Sequence, residues 1–148
     1  MDMVDLETQI KKGKNYNKVA LKYRNIIIVT DGVFSMDGDI APLCSILSLA
    51  RQYSLLTFVD DCHATGVIGP SGRGSIEFYN LMGQVDFVSS TLGKAMGGAS
   101  GGYLTGRKEV VAILRQRSRP YLFSNSIAPP IVGASLKAFQ ILEKKLNI

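Results

Sequence analysis

The chain has 148 residues and a formal net charge of +5, with 46% hydrophobic and 20% charged residues. This balance is typical of one globular domain and excludes a disordered chain. No apolar run is long enough to span a bilayer, and two cysteines are too few for a disulfide framework.

The opening residues and the basic charge point to no targeting signal and no nucleic acid. The segment MDMVDLETQIKKGK lacks an apolar stretch, and its early acids are unlike a transit peptide. The basic residues cluster only at Arg115, Arg117 and Arg119. We therefore expect neither a nucleic-acid partner nor a membrane partner.

The first part of the chain predicts two helices and two strands. Apolar residues recur at helical spacing over 2–12, which indicates a short helix ending in a Lys/Gly segment. The β-branched run over 25–30 predicts a buried strand. Pro42 suits the first turn of a helix, and residues 55–59 predict a second buried strand. The apolar face of the helix after Pro42 comprises Leu43, Ile46, Leu47, Ala50 and Tyr53.

The second part predicts a short helix over 75–82 and a third strand over 85–90. The loop 91–101 is too short to hold a crossover helix, so the apolar stretch 102–105 should run antiparallel to a neighbour. Two further helical patterns cover residues 107–118 and 127–146.

Strands alternating with helices predict a three-layer α/β fold with a mostly parallel sheet and helices on both faces. Ligands bind such sheets at the carboxyl ends of the strands. The segments 31–39, 60–74 and 91–101 follow strands, so we expect all three to gather at one edge.

Asp60, His63 and Lys94 are the candidate chemical groups at that edge. Asp60 directly follows a buried strand, where a carboxylate is poorly solvated. His63 is the only histidine in the chain. Lys94 lies in a Gly/Ala loop, which suits a lysine that loses its proton and moves. Considered singly, each could instead be a structural polar group or an exposed lysine.

Considered together, these groups match the needs of pyridoxal phosphate (PLP). This cofactor requires a lysine for its aldehyde, an acid at its pyridine nitrogen and a cradle for its phosphate. Asp60, Lys94 and the Ser/Thr positions at the end of the third strand could supply all three from adjacent strand ends.

Four segments resemble the α-oxoamine synthase family of fold-type I PLP enzymes, in order and in spacing. The resemblance extends over nearly the whole chain. The segments are TDGVFSMDGDIAPL, VDDCHATGVIGPSGRGS, STLGKAMGGASGGY and RQRSRPYLFSNS.

The resemblance implies a role for each matching residue. Lys94 would be the internal-aldimine lysine and then the acid/base at the substrate α-carbon. Asp60 would pair with the pyridinium nitrogen, and His63 and Ser35 would lie near the phenolic oxygen of the cofactor. The phosphate would be contacted by Thr91 and, from the partner subunit of a homodimer, by Ser124 and Asn125.

The implied reaction joins glycine and acetyl-CoA to form 2-amino-3-ketobutyrate and CoA, and it runs in reverse during threonine breakdown. The implied compartment is mitochondrial or cytoplasmic. Family members are more than twice as long, so residues 1–148 would be part of the PLP-binding large domain, without its upstream part or the C-terminal small domain. We therefore expect a weakly active or inactive chain; the alternative is a non-catalytic truncated or split subunit that pairs with a longer chain.

Other patterns predict competing sites. Residues 98–102 fit the G-x-S-x-G pattern of serine hydrolases, but a strand rather than a helix is predicted after Ser100. Residues 60–63 contain metal-ligating types, although four adjacent residues rarely converge on one ion. We interpret Cys62 as a small packing residue rather than an activated thiol. The cluster of Arg115, Arg117 and Arg119 is either an interface segment or a cationic helix end.

Overall fold

A computed structural model describes residues 2–20, 25–98 and 100–145. In chain order, the elements are α1 (Met3–Ala20), β1 (Ile27–Asp31), α2 (Leu43–Tyr53), β2 (Leu56–Asp60), α3 (Ser75–Phe78), β3 (Phe87–Thr91), β4 (Gly102–Gly106), α4 (Lys108–Arg117), α5 (Arg119–Phe123) and α6 (Pro129–Lys145).

The described strands form one sheet in the order β1-β2-β3-β4. β1, β2 and β3 are parallel, whereas β4 is antiparallel to β3. This confirms the predicted α/β class, the mostly parallel sheet and the antiparallel fourth strand. The short 91–101 loop explains the reversal, because it leaves no room for a crossover helix.

The core lies between one face of β1 and β2 and the helices α1, α2 and α3. α2 presents the predicted apolar face, with four buried residues and a half-buried Tyr53. The Tyr53 hydroxyl donates a hydrogen bond to Glu7 on α1 at 2.6 Å, which ties the two helices together. The buried members of the core are Ile10, Ile28, Ala41, Leu43, Ile46, Ala50, Val59 and Ile76.

β1 departs from the prediction that the sheet is covered on both faces. Ile28 and Thr30 are buried, but Val29 is 67% exposed and Ile27 is also exposed. Successive side chains on a strand point to opposite faces, and the core helices cover only the Ile28 face. The continuous apolar sequence therefore predicted the strand correctly, and the face of β1 that carries Ile27 and Val29 is exposed in the described part of the chain.

Helix lengths also differ from the predictions. α1 does not end at its Lys/Gly segment but continues through Gly13 to Ala20. A glycine inside a helix costs only about 1 kcal/mol relative to alanine, and the lysines flanking it are good helix formers. α3 is a single turn that ends before Asn80, whose φ of 55° is left-handed. That conformation stops a helix and was not predicted there.

α5 and α6 also differ from the predicted helices. α5 begins only two residues after α4 ends and was not predicted as a separate helix. α6 starts at Pro129 and is described as far as Lys145, so the predicted end at residue 146 lies outside the described residues. Among the helices that the structure describes, none is long and apolar enough to cross a membrane.

Candidate functional site

The carboxyl ends of the three parallel strands meet at one edge of the sheet. Asp31 at the end of β1 pairs in register with Asp60 at the end of β2, and Asp60 pairs with Ser89 on β3. This confirms that the segments after these strands gather at a common edge, because parallel strands in register must end together.

Asp60 is a half-buried carboxylate whose two oxygens are both hydrogen-bonded. Oδ1 accepts the Cys62 amide at 3.0 Å, and Oδ2 accepts the Ser89 hydroxyl at 2.8 Å. Burial opposes ionisation, but these hydrogen bonds and the charge of Lys94 outweigh it, so the pKa of Asp60 lies below its usual value. At neutral pH the group is an oriented anion.

Lys94 and His63 meet although they lie 31 residues apart. The Lys94 ammonium nitrogen Nζ is 2.9 Å from Nε2 of His63, and both residues are exposed at the mouth of the site. Lys94 and His63 thus meet at the strand edge where Asp60 also lies, close enough for the charge of Lys94 to act on Asp60.

The loop that carries Lys94 is closed by backbone hydrogen bonds. The Gly98 amide donates to the Leu92 carbonyl at 2.6 Å, and the Leu92 amide donates to the Gly101 carbonyl at 2.9 Å. Leu92 and Met96 are buried beneath the loop. Lys94 therefore projects from a defined turn with its side chain in solvent.

α6 packs directly behind this loop and explains one of its glycines. A Cβ at Gly98 would lie 2.5 Å from the hydroxyl oxygen of Ser135 on α6 and 2.9 Å from the Leu92 carbonyl. A side chain at Gly98 would therefore push the lysine loop away from α6. The sequence shows a run of glycines here but not the helix that requires one of them.

Cys62 is half-buried beside Asp60. Burial, together with the hydrogen bond and negative charge of Asp60, raises the pKa of the Cys62 thiol to about 11. The thiol stays protonated at neutral pH, which agrees with a packing role rather than a nucleophilic one.

The remaining predicted residues lie around this centre without joining it. Thr91 ends β3, where its hydroxyl donates to the Gly101 carbonyl at 3.0 Å. Ser35 lies exposed in the turn after β1. Ser124 and Asn125 lie in the exposed segment that follows α5. Within the described residues, no hydrogen bond connects Ser35, Ser124 or Asn125 to Asp60 or Lys94.

Sequence reasoning missed two side chains that build the site. Ser89 orients Asp60, and the only signal for this was that both stand at the ends of neighbouring strands. Ser75 binds the buried carboxylate of Asp61 through its amide and its hydroxyl. Residues 61 and 75 are separated by a loop, and no local pattern relates them.

The competing sites gain no support from the geometry. Ser100 precedes β4, a strand, whereas a nucleophile elbow needs a helix after the serine. In the part of the chain that the structure describes, no three His, Cys, Asp or Glu side chains converge as metal ligands. A cavity of about 430 Å³ is lined by Val88, Tyr103 and Thr105, on the sheet face opposite Asp60 and Ser89, and Lys94 is not part of it.

Comparison with known proteins places this chain in a family. The model of the aminotransferase class I and II family matches residues 1–147. The chain belongs to the aminotransferase class I and II family, and its mostly parallel α/β sheet is consistent with that membership.

Two curated relatives share one name. The mitochondrial 2-amino-3-ketobutyrate coenzyme A ligase of Mus musculus is 56% identical over 142 residues, or 96% of this chain and 32% of that protein. The 2-amino-3-ketobutyrate coenzyme A ligase of Escherichia coli K12 is 54% identical over 96% of this chain and 34% of its own length. The chain thus spans about a third of the length of the curated relatives it matches.

Solved structures extend the similarity to the fold. A serine palmitoyltransferase variant from S. paucimobilis with a bound PLP–myriocin aldimine has a TM-score of 0.83 and 31% identity, covering 95% of this chain and 34% of that one. An 8-amino-7-oxononanoate synthase from Francisella tularensis has a TM-score of 0.69 and 27% identity, covering 88% of this chain and 38% of that one.

Proposed function

We propose that residues 1–148 are part of the PLP-binding large domain of a glycine C-acetyltransferase, another name for 2-amino-3-ketobutyrate coenzyme A ligase. The reaction joins glycine and acetyl-CoA to give 2-amino-3-ketobutyrate and CoA, and its reversal serves threonine breakdown. The observation that carries the proposal is the meeting of Asp60, His63 and Lys94 at adjacent strand ends, in a chain 54–56% identical to enzymes of that name.

The residues at the strand edge fit PLP by their charge and accessibility. When bound, the cofactor supplies an aldehyde for amines and a protonated ring that withdraws electrons from the substrate α-carbon. Asp60 is ionised and oriented by Ser89, which suits a carboxylate that holds a ring N–H⁺. Lys94 offers an exposed primary amine on a closed loop.

The proposed roles follow from these properties. Lys94 holds the cofactor and moves a proton at the substrate α-carbon, and Asp60 keeps the ring nitrogen protonated. His63 and Ser35 bind near the phenolic oxygen, and Thr91 binds the phosphate. The contact between His63 and Lys94 supports a proton-sharing role for the imidazole, since the two nitrogens are 2.9 Å apart.

We propose a homodimer in which Ser124 and Asn125 of one copy bind the phosphate in the partner's site. The support is their exposure in a segment, residues 121–130, whose side chains all face solvent in a single copy. The names of the mammalian relatives include "mitochondrial", and we propose a mitochondrial or a cytoplasmic location for this protein.

Cofactor trapping tests the site directly. The chain is incubated with PLP, reduced with borohydride and mapped by mass spectrometry, with Lys94→Ala as the test variant and Lys108→Ala as an exposed-lysine control on α4. We expect one label per chain at Lys94, lost in Lys94→Ala and retained in Lys108→Ala. Labelling spread over many lysines, and unchanged in Lys94→Ala, would contradict the proposal.

The substrates are tested separately from the cofactor. The PLP-loaded chain is supplied with acetyl-CoA, and release of free CoA is followed with and without glycine. We expect weak release that requires glycine and disappears in Lys94→Ala. Release that is independent of glycine, or that alanine supports equally well, would assign a different substrate.

A further inference from the structure

Asp61 is a buried carboxylate that none of the proposed roles uses. It directly follows Asp60, and consecutive residues at a strand end point to opposite faces. Asp60 faces the candidate site, whereas Asp61 is only 1% exposed and lies under α3. Burying a carboxylate costs free energy unless its oxygens are hydrogen-bonded, so we expect partners for both oxygens of Asp61.

Both oxygens of Asp61 are taken by one serine. Oδ2 accepts the Ser75 amide at 2.9 Å, and Oδ1 accepts the Ser75 hydroxyl at 2.5 Å. Glycines leave the space for this carboxylate: a Cβ at Gly32 would lie 2.0 Å from Oδ1, and one at Gly74 would lie 1.8 Å from Oδ2. The side chain is therefore held between the end of β1 and the start of α3.

The backbone of Asp61 organises the site residues on either side. Its amide donates to the Ser89 carbonyl at 2.8 Å, which keeps the end of β2 beside the serine that binds Asp60. Its carbonyl accepts the amides of Ala64 and Thr65 at 3.0 and 2.9 Å, and also the Thr65 hydroxyl at 3.0 Å. These bonds close the turn that carries His63.

We infer that Asp61 is a positioning residue that fixes Asp60 and His63 relative to Lys94 through its anchor on Ser75. Its catalytic meaning rests on the proposed function, whereas the placement of His63 can be measured without any cofactor. Asp61 acts through its neighbours and not on the reacting atoms.

Three variants separate the anchor from the charge. Asp61→Ala removes both bonds to Ser75 and leaves an empty space. Asp61→Asn keeps the shape, because its oxygen can accept the Ser75 amide while its NH₂ donates to the Ser75 hydroxyl. Ser75→Ala removes only the hydroxyl donor to Asp61, and it does so without changing the sequence of residues 60–63.

The first measurement is NMR of the imidazole ring protons at one fixed pH. His63 is the only histidine, so its signals are unambiguous. We expect Asp61→Ala to move these signals toward those of Lys94→Ala, because the contact with Lys94 is lost. Asp61→Asn should retain the wild-type signals, and thermal unfolding shows which variants are folded.

The second measurement is PLP capture at Lys94 and the absorbance of the captured cofactor. A misplacement of about 1 Å costs up to about 100-fold in rate, so we expect Asp61→Ala to capture PLP at Lys94 about 10- to 100-fold more slowly. The absorbance of the cofactor captured by Asp61→Ala should shift in the same direction as that of the cofactor captured by Asp60→Asn. Asp61→Asn should recover most of the rate.

The outcomes separate this inference from the proposed function. A folded Asp61→Ala chain with wild-type histidine signals and wild-type capture would overturn the inference. If Asp61→Ala does not fold, unchanged signals and capture in Ser75→Ala would overturn it instead. If the wild-type chain captures no PLP at Lys94, the proposed function fails, and the histidine signals still decide the role of Asp61.

Discussion

α2 and α4 are helices of nearly equal length, with 11 and 10 residues, yet their surroundings are opposite. α2 buries four residues against β1 and β2, whereas α4 has no buried residue. Both show apolar residues at helical spacing in the sequence. The difference teaches that the spacing determines a helix, while the strands beside it determine whether its apolar face is covered within this chain.

The largest effect should come from matched Ile→Ala substitutions in these two helices. Ile46 on α2 is 1% exposed and Ile113 on α4 is 61% exposed. Ile46→Ala should lower the free energy of unfolding by about 3–4 kcal/mol, because it opens a cavity in the core. Ile113→Ala should change it by about 0.5 kcal/mol or less.

Urea denaturation would give both changes in the free energy of unfolding, provided that its slope against urea concentration is the same in the variants as in the wild type. Similar losses for the two variants would mean that α4 is covered in solution, and the contrast between the helices would fail.

A smaller effect on stability is expected at Glu77, whose side chain anchors the loop that precedes α3. Glu77 on α3 accepts the amides of Ser71 and Arg73, each at 3.0 Å, and also the Ser71 hydroxyl. Burial alone would raise the pKa of Glu77, but these hydrogen bonds lower it below 4.5. The stabilisation is therefore present above pH 4.5 and is lost as the pH falls through the folded-state value.

Glu77→Gln should cost at most about 1 kcal/mol at pH 7, because the group is partly exposed. The difference in free energy of unfolding between Glu77→Gln and the wild type should become smaller when it is measured well below pH 4.5. Asp37→Asn, at an exposed carboxylate in the turn after β1, is the control and should leave the unfolding curve unchanged. A cost for Glu77→Gln that is equal at both pH values would argue against an ionised anchor.

The smallest effect on stability should come from the segment after α4. Phe123 is 78% exposed, and its ring is 5.8 Å from the Arg119 guanidinium carbon. Phe123→Ser should change the free energy of unfolding by about 0.5 kcal/mol or less. It should nevertheless weaken self-association, because we place this segment at the proposed interface between two copies.

Sedimentation equilibrium would compare Phe123→Ser with Val4→Ser, a similarly exposed apolar site on α1. Equal self-association of the two variants would remove residues 121–130 from the proposed interface.

The sequence predicted what depends on local pattern. The strands ending at Asp31, Asp60 and Thr91 and their meeting at one edge followed from short apolar runs separated by helices. The sequence predicted that Lys94 and His63 lie at the same edge, because both follow strands of one sheet, but it did not predict their direct contact. These steps need only the period of the residues and the geometry of parallel strands.

Other features depend on contacts between distant parts of the chain, and the sequence did not predict them. α1 passes through Gly13, and the packing of Ile10 on the core outweighs a weak local stop signal. The exposure of Val29 on β1 depends on which elements pack over that face of the sheet. The local sequence around Val29 does not contain this information. The anchor between Asp61 and Ser75 joins the start of the loop after β2 to the first residue of α3, and no local sequence pattern relates these two positions.

The tight fit of Asp61 between two glycines also constrains how the protein can evolve. An alanine at Gly32 or Gly74 would bring its methyl carbon within 2.0 Å of a carboxylate oxygen. Shortening residue 61 would relieve neither change, because a Cβ at Gly32 would also lie 2.3 Å from the Ser75 hydroxyl oxygen and the φ of 92° at Gly74 strains any side chain there. Positions 32 and 74 should therefore remain glycine whatever stands at position 61, so this corner of the fold has fewer mutational routes open to it than the Asp61 contact alone implies.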